Sequence, residues 1–391
     1  MNSLPVRILA AVITFILGVA IANVWLTSWN ATPLISPVPV EASGQRLEMV
    51  FVIDTTGSMN GLLDGAKQRI WGIVNGVMRE RRLKVRIGLV AYRDRGDEYV
   101  TQVLPLTEDL DKVYMTLMDY RAAGGGDEPE DVRSALVDGV FQAGWSPAAA
   151  GLSQILFLVG DAPPHDDYSD VPDTLTTAAD AVQRHLIVNT IQCGAFVATK
   201  RAFQAIADRG RGQYFAIGAD GGVQAIASPY DQQLGDLATQ LGATFIPYGF
   251  GAGAEGEAMR AQVSTQVARA ELLTATRGSS VAKAERAYNK VVNSDAYIGD
   301  LLQQIENGSL AVQDVDVEQL PENLRSMSPA ERQQEIEKRL RVRSELRHQI
   351  VLLTQQRDDY VQAQRKLSGS NGFDAVVMKA LREQMARQGN W

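Results

Sequence analysis

Two apolar runs in this chain each stop at an aspartate, and no other feature restricts the possible folds as strongly. Met49-Val50-Phe51-Val52-Ile53 ends at Asp54, ahead of Thr55-Thr56-Gly57-Ser58, and Ile155-Leu156-Phe157-Leu158-Val159-Gly160 ends at Asp161. An unbroken apolar run of this length predicts a strand buried on both faces, as in a parallel sheet covered by helices on either side. After the first run, Met59, Leu62, Leu63, Ala66, Ile70, Ile73, Val74 and Val77 recur at helical spacing. A strand leading into a helix puts Asp54 at the strand's carboxyl end, where open parallel sheets hold their ligands. The plainer alternative is that Asp54 and Ser58 only cap that helix.

The pattern continues in order. Residues 84–92 read as a strand, and 99–106 as another after the polar turn 93–98. So short a turn makes a hairpin, hence one antiparallel edge. Helical spacing covers 109–120 and 130–145. Beyond the second aspartate come a helix over 173–185, a strand ending at Cys193, a helix over 199–208, a short strand 214–217 and a helix over 230–241. The alternation predicts an α/β fold for residues 46–248, a Rossmann-like doubly wound, mostly parallel sheet with one antiparallel edge strand. Three loops then converge at one end of the sheet: Asp54 to Ser58, Gly124 to Asp131, and Gly160 to His165. They offer hard oxygen ligands, which suit Mg²⁺, Mn²⁺ or Ca²⁺ rather than zinc or copper. His165, between two prolines and Asp166-Asp167-Tyr168, reads as part of the rim. Cys193 is the only cysteine, which excludes an intramolecular disulfide and a multi-cysteine metal site; its apolar surroundings predict a buried thiol.

These pieces together resemble the von Willebrand factor A family, whose metal-ion-dependent adhesion site has Asp-x-Ser/Thr-x-Ser after the first strand, here Asp54, Thr56 and Ser58. The resemblance covers about half the chain and implies a second ligand from a central loop and an aspartate after the fourth strand, which Asp161 matches. The central loop departs from the commonest pattern, since Gly126-Asp127-Glu128-Pro129-Glu130 stands where a threonine is expected. It is closer to the Asp-x-Pro-Glu loop of integrin β subunits. That likeness implies Glu130 as a metal ligand and Asp127 as an outer group near a neighbouring cation. Another reading is that the acids merely favour the start of the next helix, which accounts for Glu130 and Asp131 but not for the glycines before them. The function implied is a divalent-cation-dependent adhesion or scaffold module that binds a protein ligand through a carboxylate.

A rival reading is catalytic. Asp54-Thr55-Thr56-Gly57-Ser58 also resembles the Asp-Lys-Thr-Gly-Thr of P-type ATPases, which implies phosphoryl transfer through an aspartyl phosphate on Asp54 with Mg²⁺. Thr55 replaces that family's lysine, and Thr56 replaces the second aspartate of haloacid dehalogenase-like phosphatases. No Gly-x-Ser-x-Gly, His-Glu-x-x-His or Gly-x-x-x-x-Gly-Lys motif occurs. The expectation is therefore a binding protein, not an enzyme.

From Ile8 to Ser28 no charge appears, a length that suits a membrane span. Arg7 is the only charge before it, and no Lys or Arg follows until Arg46, a bias that leaves the amino terminus in the cytoplasm and the body on the exported side. Residues 1–45 are expected to be a transmembrane signal anchor with a proline-rich tether, or a signal peptide cut after Ala22, which would release the body as a secreted protein. A net charge of -8 without a basic patch argues against nucleic-acid binding. Residues 249–391 turn helical in composition after Gly249, Gly251, Gly253 and Gly256. Helices are expected over 257–276, 281–292 and 296–305, then a polar connector 307–327. Ser328-Pro329-Ala330-Glu331 is a capping box with proline at the first helical position, opening a helix to about Leu367, and a last helix spans 373–387. Arg343 and Arg347 interrupt a heptad in the long helix, which favours packing within the chain over an intermolecular coiled coil. A tail of this kind allows one further reading, in which the metal only stiffens the domain and the tail binds the partner.

Overall fold

The computed structural model describes residues 45–80, 83–217, 226–277, 279–292, 299–368 and 373–388. The apolar segment 8–28 and nearly all of the tether lie outside them. Among the described residues, no helix is long and apolar enough to cross a membrane.

Six strands form one sheet: β1 (Arg46–Asp54), β2 (Lys84–Tyr92), β3 (Thr101–Thr107), β4 (Leu152–Gly160), β5 (Ile187–Cys193) and β6 (Arg211–Ile217). Their order is β3-β2-β1-β4-β5-β6. Every pair is parallel except β2 with β3, the hairpin whose short turn requires an antiparallel edge. The two aspartate-terminated strands lie side by side, with Ile53 opposite Val159. Both are buried along almost their whole length, because residues of alternating parity feed different cores. Leu47, Met49, Phe51 and Ile53 face one core, Val50 and Val52 the other. Phe51 stacks on Phe157 with ring centroids 5.1 Å apart.

Helices cover both faces. On the first lie α1 (Leu63–Glu80), with Ala66, Ile70, Ile73, Val74 and Val77 turned inward as their spacing predicts, and α2 (Leu110–Asp119). On the second lie α3 (Val132–Phe141), α4 (Thr174–Gln183) and α5 (Val197–Arg209). Gly139 lets α3 approach the sheet closely, since a Cβ there would come within 2.6 Å of Val52. The strand expected over 214–217 is longer, beginning at Arg211, because Gly210 and Gly212 allow the chain to pass tightly against Val188.

The remaining helices are α6 (Asp231–Gly242), α7 (Gly253–Arg277), α8 (Ser280–Val292), α9 (Leu301–Glu306), α10 (Glu322–Arg325), α11 (Pro329–Ser368) and α12 (Phe373–Arg387). α9 begins later than the expected 296, and residues 293–298 are outside the described set. The connector 307–327 contains α10 and two short 3-10 turns. The capping box forms as read: Ser328 Oγ and backbone N–H both donate to the Glu331 carboxylate, at 2.6 and 3.0 Å. Along α11, Leu346 and Ile350 pack with α6 and α8. The arginines that break the heptad are ion-pair partners within the chain: Arg343 meets Asp300 at 2.6 Å and Arg347 meets Glu306 at 2.7 Å. Further on, Arg357 meets Asp231 at 2.8 Å.

α12 returns to the sheet. Val377, Met378, Leu381 and Met385 join the same core as β1 and α1. Gln384 and Asn189 of β5 exchange two amide hydrogen bonds, at 3.0 and 2.7 Å, with both residues buried. Cys193 is buried, and burial raises its thiol pKa, as the apolar run around it predicts.

Candidate metal centre

At the carboxyl end of β1 the chain leaves the sheet and turns at once. Thr55 donates its N–H and hydroxyl to the Tyr92 carbonyl, at 2.9 and 2.8 Å, which ties the turn to the end of β2. Asp54 Oδ1 accepts from the Thr56 N–H at 2.9 Å and from its hydroxyl at 2.6 Å. The carboxyl thus shapes its own turn instead of capping a helix: Gly57–Met59 form a 3-10 turn without a side-chain cap, and α1 starts only at Leu63. Thr56 Oγ1 lies 3.0 Å from Ser58 Oγ, which donates to Asp161 Oδ1 at 2.9 Å. Asp54, Thr56, Ser58 and Asp161 therefore form one continuous chain of oxygens across neighbouring strand ends.

The central loop closes over them. Gly57 N–H donates to the Gly124 carbonyl at 3.0 Å, and any Cβ at Gly57 would sit 2.7 Å from that oxygen. Gly124 and Gly125 both have positive φ, a region that L side chains rarely adopt, which accounts for the glycine run. The loop then pairs with the turn after β4: the Glu130 N–H donates to the Pro163 carbonyl at 3.0 Å, and His165 N–H donates to the Glu130 carbonyl at 3.1 Å. This pairing turns the Glu130 side chain inward, beside Thr56 and under Gly125. Asp131 behaves differently. It caps α3 through the Ser134 N–H at 2.9 Å and meets Arg95 at 3.0 Å. The two adjacent acids thus divide between the readings open to them, one at the site and one at the helix start.

Electrostatically the centre is unsatisfied. Asp54 Oδ2, Glu130 Oε2 and Tyr92 Oη are buried and have no hydrogen-bond partner among the described residues. Burial pushes the Asp54 carboxyl up, and the Asp161 charge adds to it against the opposing Thr56 bonds. Burial and the Asp54 charge push Glu130 up to about 9. Asp161 is raised by burial, with the Ser58 bond opposing. Tyr92, at the end of β2, is raised by burial and then by these three carboxyls. Burial is the first cause at each of the three carboxyls, and neighbouring acid charge adds to it at Asp54 and Glu130, a setting in which a cation held by these oxygens would favour their ionised forms. The donor set, carboxylates and hydroxyls only, fits a hard divalent ion.

Asp127 stands apart from this oxygen chain. Its exposed carboxylate faces His165 Nε2 at 3.7 Å, and Asp94 faces the same nitrogen at 3.6 Å. Asp94 belongs to the β2–β3 turn, which the sequence marks only as polar. Nothing in its local pattern distinguishes it from Asp97 or Glu98.

Residues 48–228 match the sequence profile of the von Willebrand factor A domain. Among curated proteins, one of Acanthamoeba polyphaga mimivirus, named as ariadne-like RING finger protein R811, is 28% identical over 122 residues, which span 30% of this chain and 11% of that protein. Among solved structures, BatB from Bacteroides thetaiotaomicron is similar at 16% identity and a TM-score of 0.35, covering 44% of this chain and 90% of that one. The SpRpn10 VWA domain is similar at 18% identity and a TM-score of 0.35, covering 50% and 95%. The assignment rests on the profile, the strand order and the strand-end carboxyls, and the partial superpositions do not carry it. Residues 48–228 are a von Willebrand factor A domain.

Proposed function

We propose that this chain is a divalent-cation-dependent protein-binding module whose metal is held by Asp54, Thr56, Ser58, Glu130 and Asp161. The observation that supports it is the oxygen chain from Asp54 to Asp161 with two buried carboxyl oxygens, Asp54 Oδ2 and Glu130 Oε2, that lack a donor. Held by these residues, Mg²⁺, Mn²⁺ or Ca²⁺ would supply a Lewis-acidic position for a partner's carboxylate. Thr56 and Ser58 contribute neutral oxygens, and Asp54 and Asp161 acting through one water each would leave the cation short of negative charge and receptive to an acidic side chain of a partner protein. Glu130 returns part of that charge. The proposal includes no catalytic step, and it takes the body to be exported and tethered to a membrane through residues 8–28.

Titration calorimetry of the full chain with Mg²⁺ and with Mn²⁺, native against Asp54→Ala, tests the metal reading. Heat is expected for the native protein and none for the variant at this site. A native protein that gives no heat with either ion removes the proposal. Partner binding that survives both chelation and Asp54→Ala would instead favour capture by the helical tail.

A further inference from the structure

At the amino ends of β4, β5 and β6, the end of the sheet away from the metal centre, lies a cleft of about 680 Å³. The first residue of each of these strands, Leu152, Ile187 and Arg211, lines it. So do His185, from the turn after α4, and Arg387 and Gln388, from the end of α12. Among the described residues no acidic side chain lines the cleft, and His185, Arg211 and Arg387 are exposed and have no ion-pair partner. Elsewhere the chain, whose net charge is -8, matches arginines with acids, as at Arg343, Arg347 and Arg357. Basic groups gathered without a counter-charge repel one another, and an anion between them removes that repulsion.

Two of the three basic residues keep their places against a backbone preference. His185 and Arg211 have φ of 67° and 57°, and they are the only residues other than glycine with positive φ among the described residues. L side chains rarely adopt that region, whereas glycine enters it freely. Arg211 has a glycine on each side, yet the strained position itself carries a guanidinium. α12 braces both sites: Gln388 Nε2 donates to the His185 carbonyl at 2.9 Å, and Arg387 Nη2 donates to the Arg211 carbonyl at 3.5 Å. Gln388 Oε1 is buried without a hydrogen-bond partner among the described residues, an acceptor that a protonated phosphate oxygen can satisfy. Backbone strain retained at residues that share one cleft points to a binding role for their side chains.

We propose that this cleft binds a phosphate group, held by Arg211 and Arg387 with His185 beside them. A guanidinium fork matches a pair of phosphate oxygens, and a phosphate offers enough acceptors for more than one such fork. The site does not depend on the metal centre, which is built at the opposite ends of the strands. β1 begins at the same end as the cleft, where the Arg46 N–H donates to the Gly151 carbonyl at 2.6 Å, next to Ala150 of the cleft wall. The chain before Arg46 therefore joins the body here. A lipid headgroup and free phosphate present the same chemistry to the cleft, and the test separates them.

The test is titration calorimetry of the full chain in an uncharged detergent, with inorganic phosphate and with the short-chain lipid dihexanoylphosphatidylglycerol. Saturable binding of at least one is expected, with a Kd of about 1 mM or tighter. Arg211→Gln and Arg387→Gln should each weaken it about tenfold or more, since each removes a charged donor. Both side chains are exposed, so both variants are expected to fold, which circular dichroism checks. Arg184→Gln is the control for diffuse surface charge: Arg184 precedes His185 but lies over the Phe141 ring, 4.4 Å from its centroid, and does not line the cleft. Its loss should leave the affinity nearly unchanged, because an exposed charge outside the cleft is screened by salt. Tighter binding of phosphate than of the lipid identifies a free phosphate as the ligand, and the reverse order identifies a headgroup. Asp54→Ala should bind as the native protein does, which keeps failure of the metal reading distinct from failure here. No saturable binding of either probe, an affinity unchanged in Arg211→Gln and Arg387→Gln, or an equal loss in Arg184→Gln would each overturn the proposal.

Discussion

A carboxyl buried at the end of β1 with an oxygen that lacks a donor lowers the stability of the metal-free fold, and pH shows the sign. Asp54 and Glu130 have raised folded-state pKa values, so the folded protein binds more protons than the unfolded chain above the ordinary carboxyl range. Their contribution is therefore fully present below about pH 4 and is lost as pH rises toward 9, the value reached by Glu130. A bound cation reverses this, because it requires the ionised forms. The rise in melting temperature on adding Mg²⁺ should accordingly grow between pH 5 and pH 9 in scanning calorimetry; a rise that is constant across that range would contradict the assignment of these ligands. Glu130 also sets how strongly an outside carboxylate is attracted. Its replacement in Glu130→Thr should tighten partner binding at saturating Mg²⁺, and a looser complex would show that its charge is not limiting. The inward placement of Glu130 follows from its backbone pairing with the turn after β4. Two acids in adjacent positions look alike in the sequence, and only that pairing separates the site residue from the helix cap.

Among the elements, α12 has the least expected position. Its apolar positions Val377, Met378, Leu381 and Met385 are legible as a stripe, but a stripe does not name the surface it covers. In the structure it packs against α1, where Gly76 leaves room for the Met378 side chain, and against β6. Leu381 is 1% exposed, so Leu381→Ala should cost about 2–5 kcal/mol, read as a lowered urea midpoint by circular dichroism. A loss under about 1 kcal/mol would mean that α12 is detached in solution, since exposed positions rarely cost more. The long helix α11 starts at the capping box, and the arginines that break its heptad pair with acids of the same chain. Its arginines occupy the stripe because acids from α6, α9 and the segment before α9 meet them, a pairing that lies far apart in sequence.

At the scale of the molecule, the helical tail and the A domain share buried charge as well as a core. Arg286 of α8 is buried against Asp111 of α2 and against Glu271 of α7, and Lys290 joins the same glutamate. Removing one partner of such a group strands the others, so Arg286→Ala should destabilise the protein by about 3–5 kcal/mol. Tail and sheet should also lose structure in a single urea transition, followed by circular dichroism and tryptophan fluorescence together. A separate early transition of the tail would show that this contact is weak. What the sequence by itself determined is the parallel sheet, its hairpin edge and the convergence of strand-end oxygens around Asp54 and Asp161, because periodicity and turn length are local and dictate strand direction. Tertiary structure alone decided that Glu130 turns inward while Asp127 meets Asp94 and His165, and that α12 closes the core. Those placements depend on which loops and faces are brought together across the sheet, and residues distant in sequence carry no local sign of the partners they will meet.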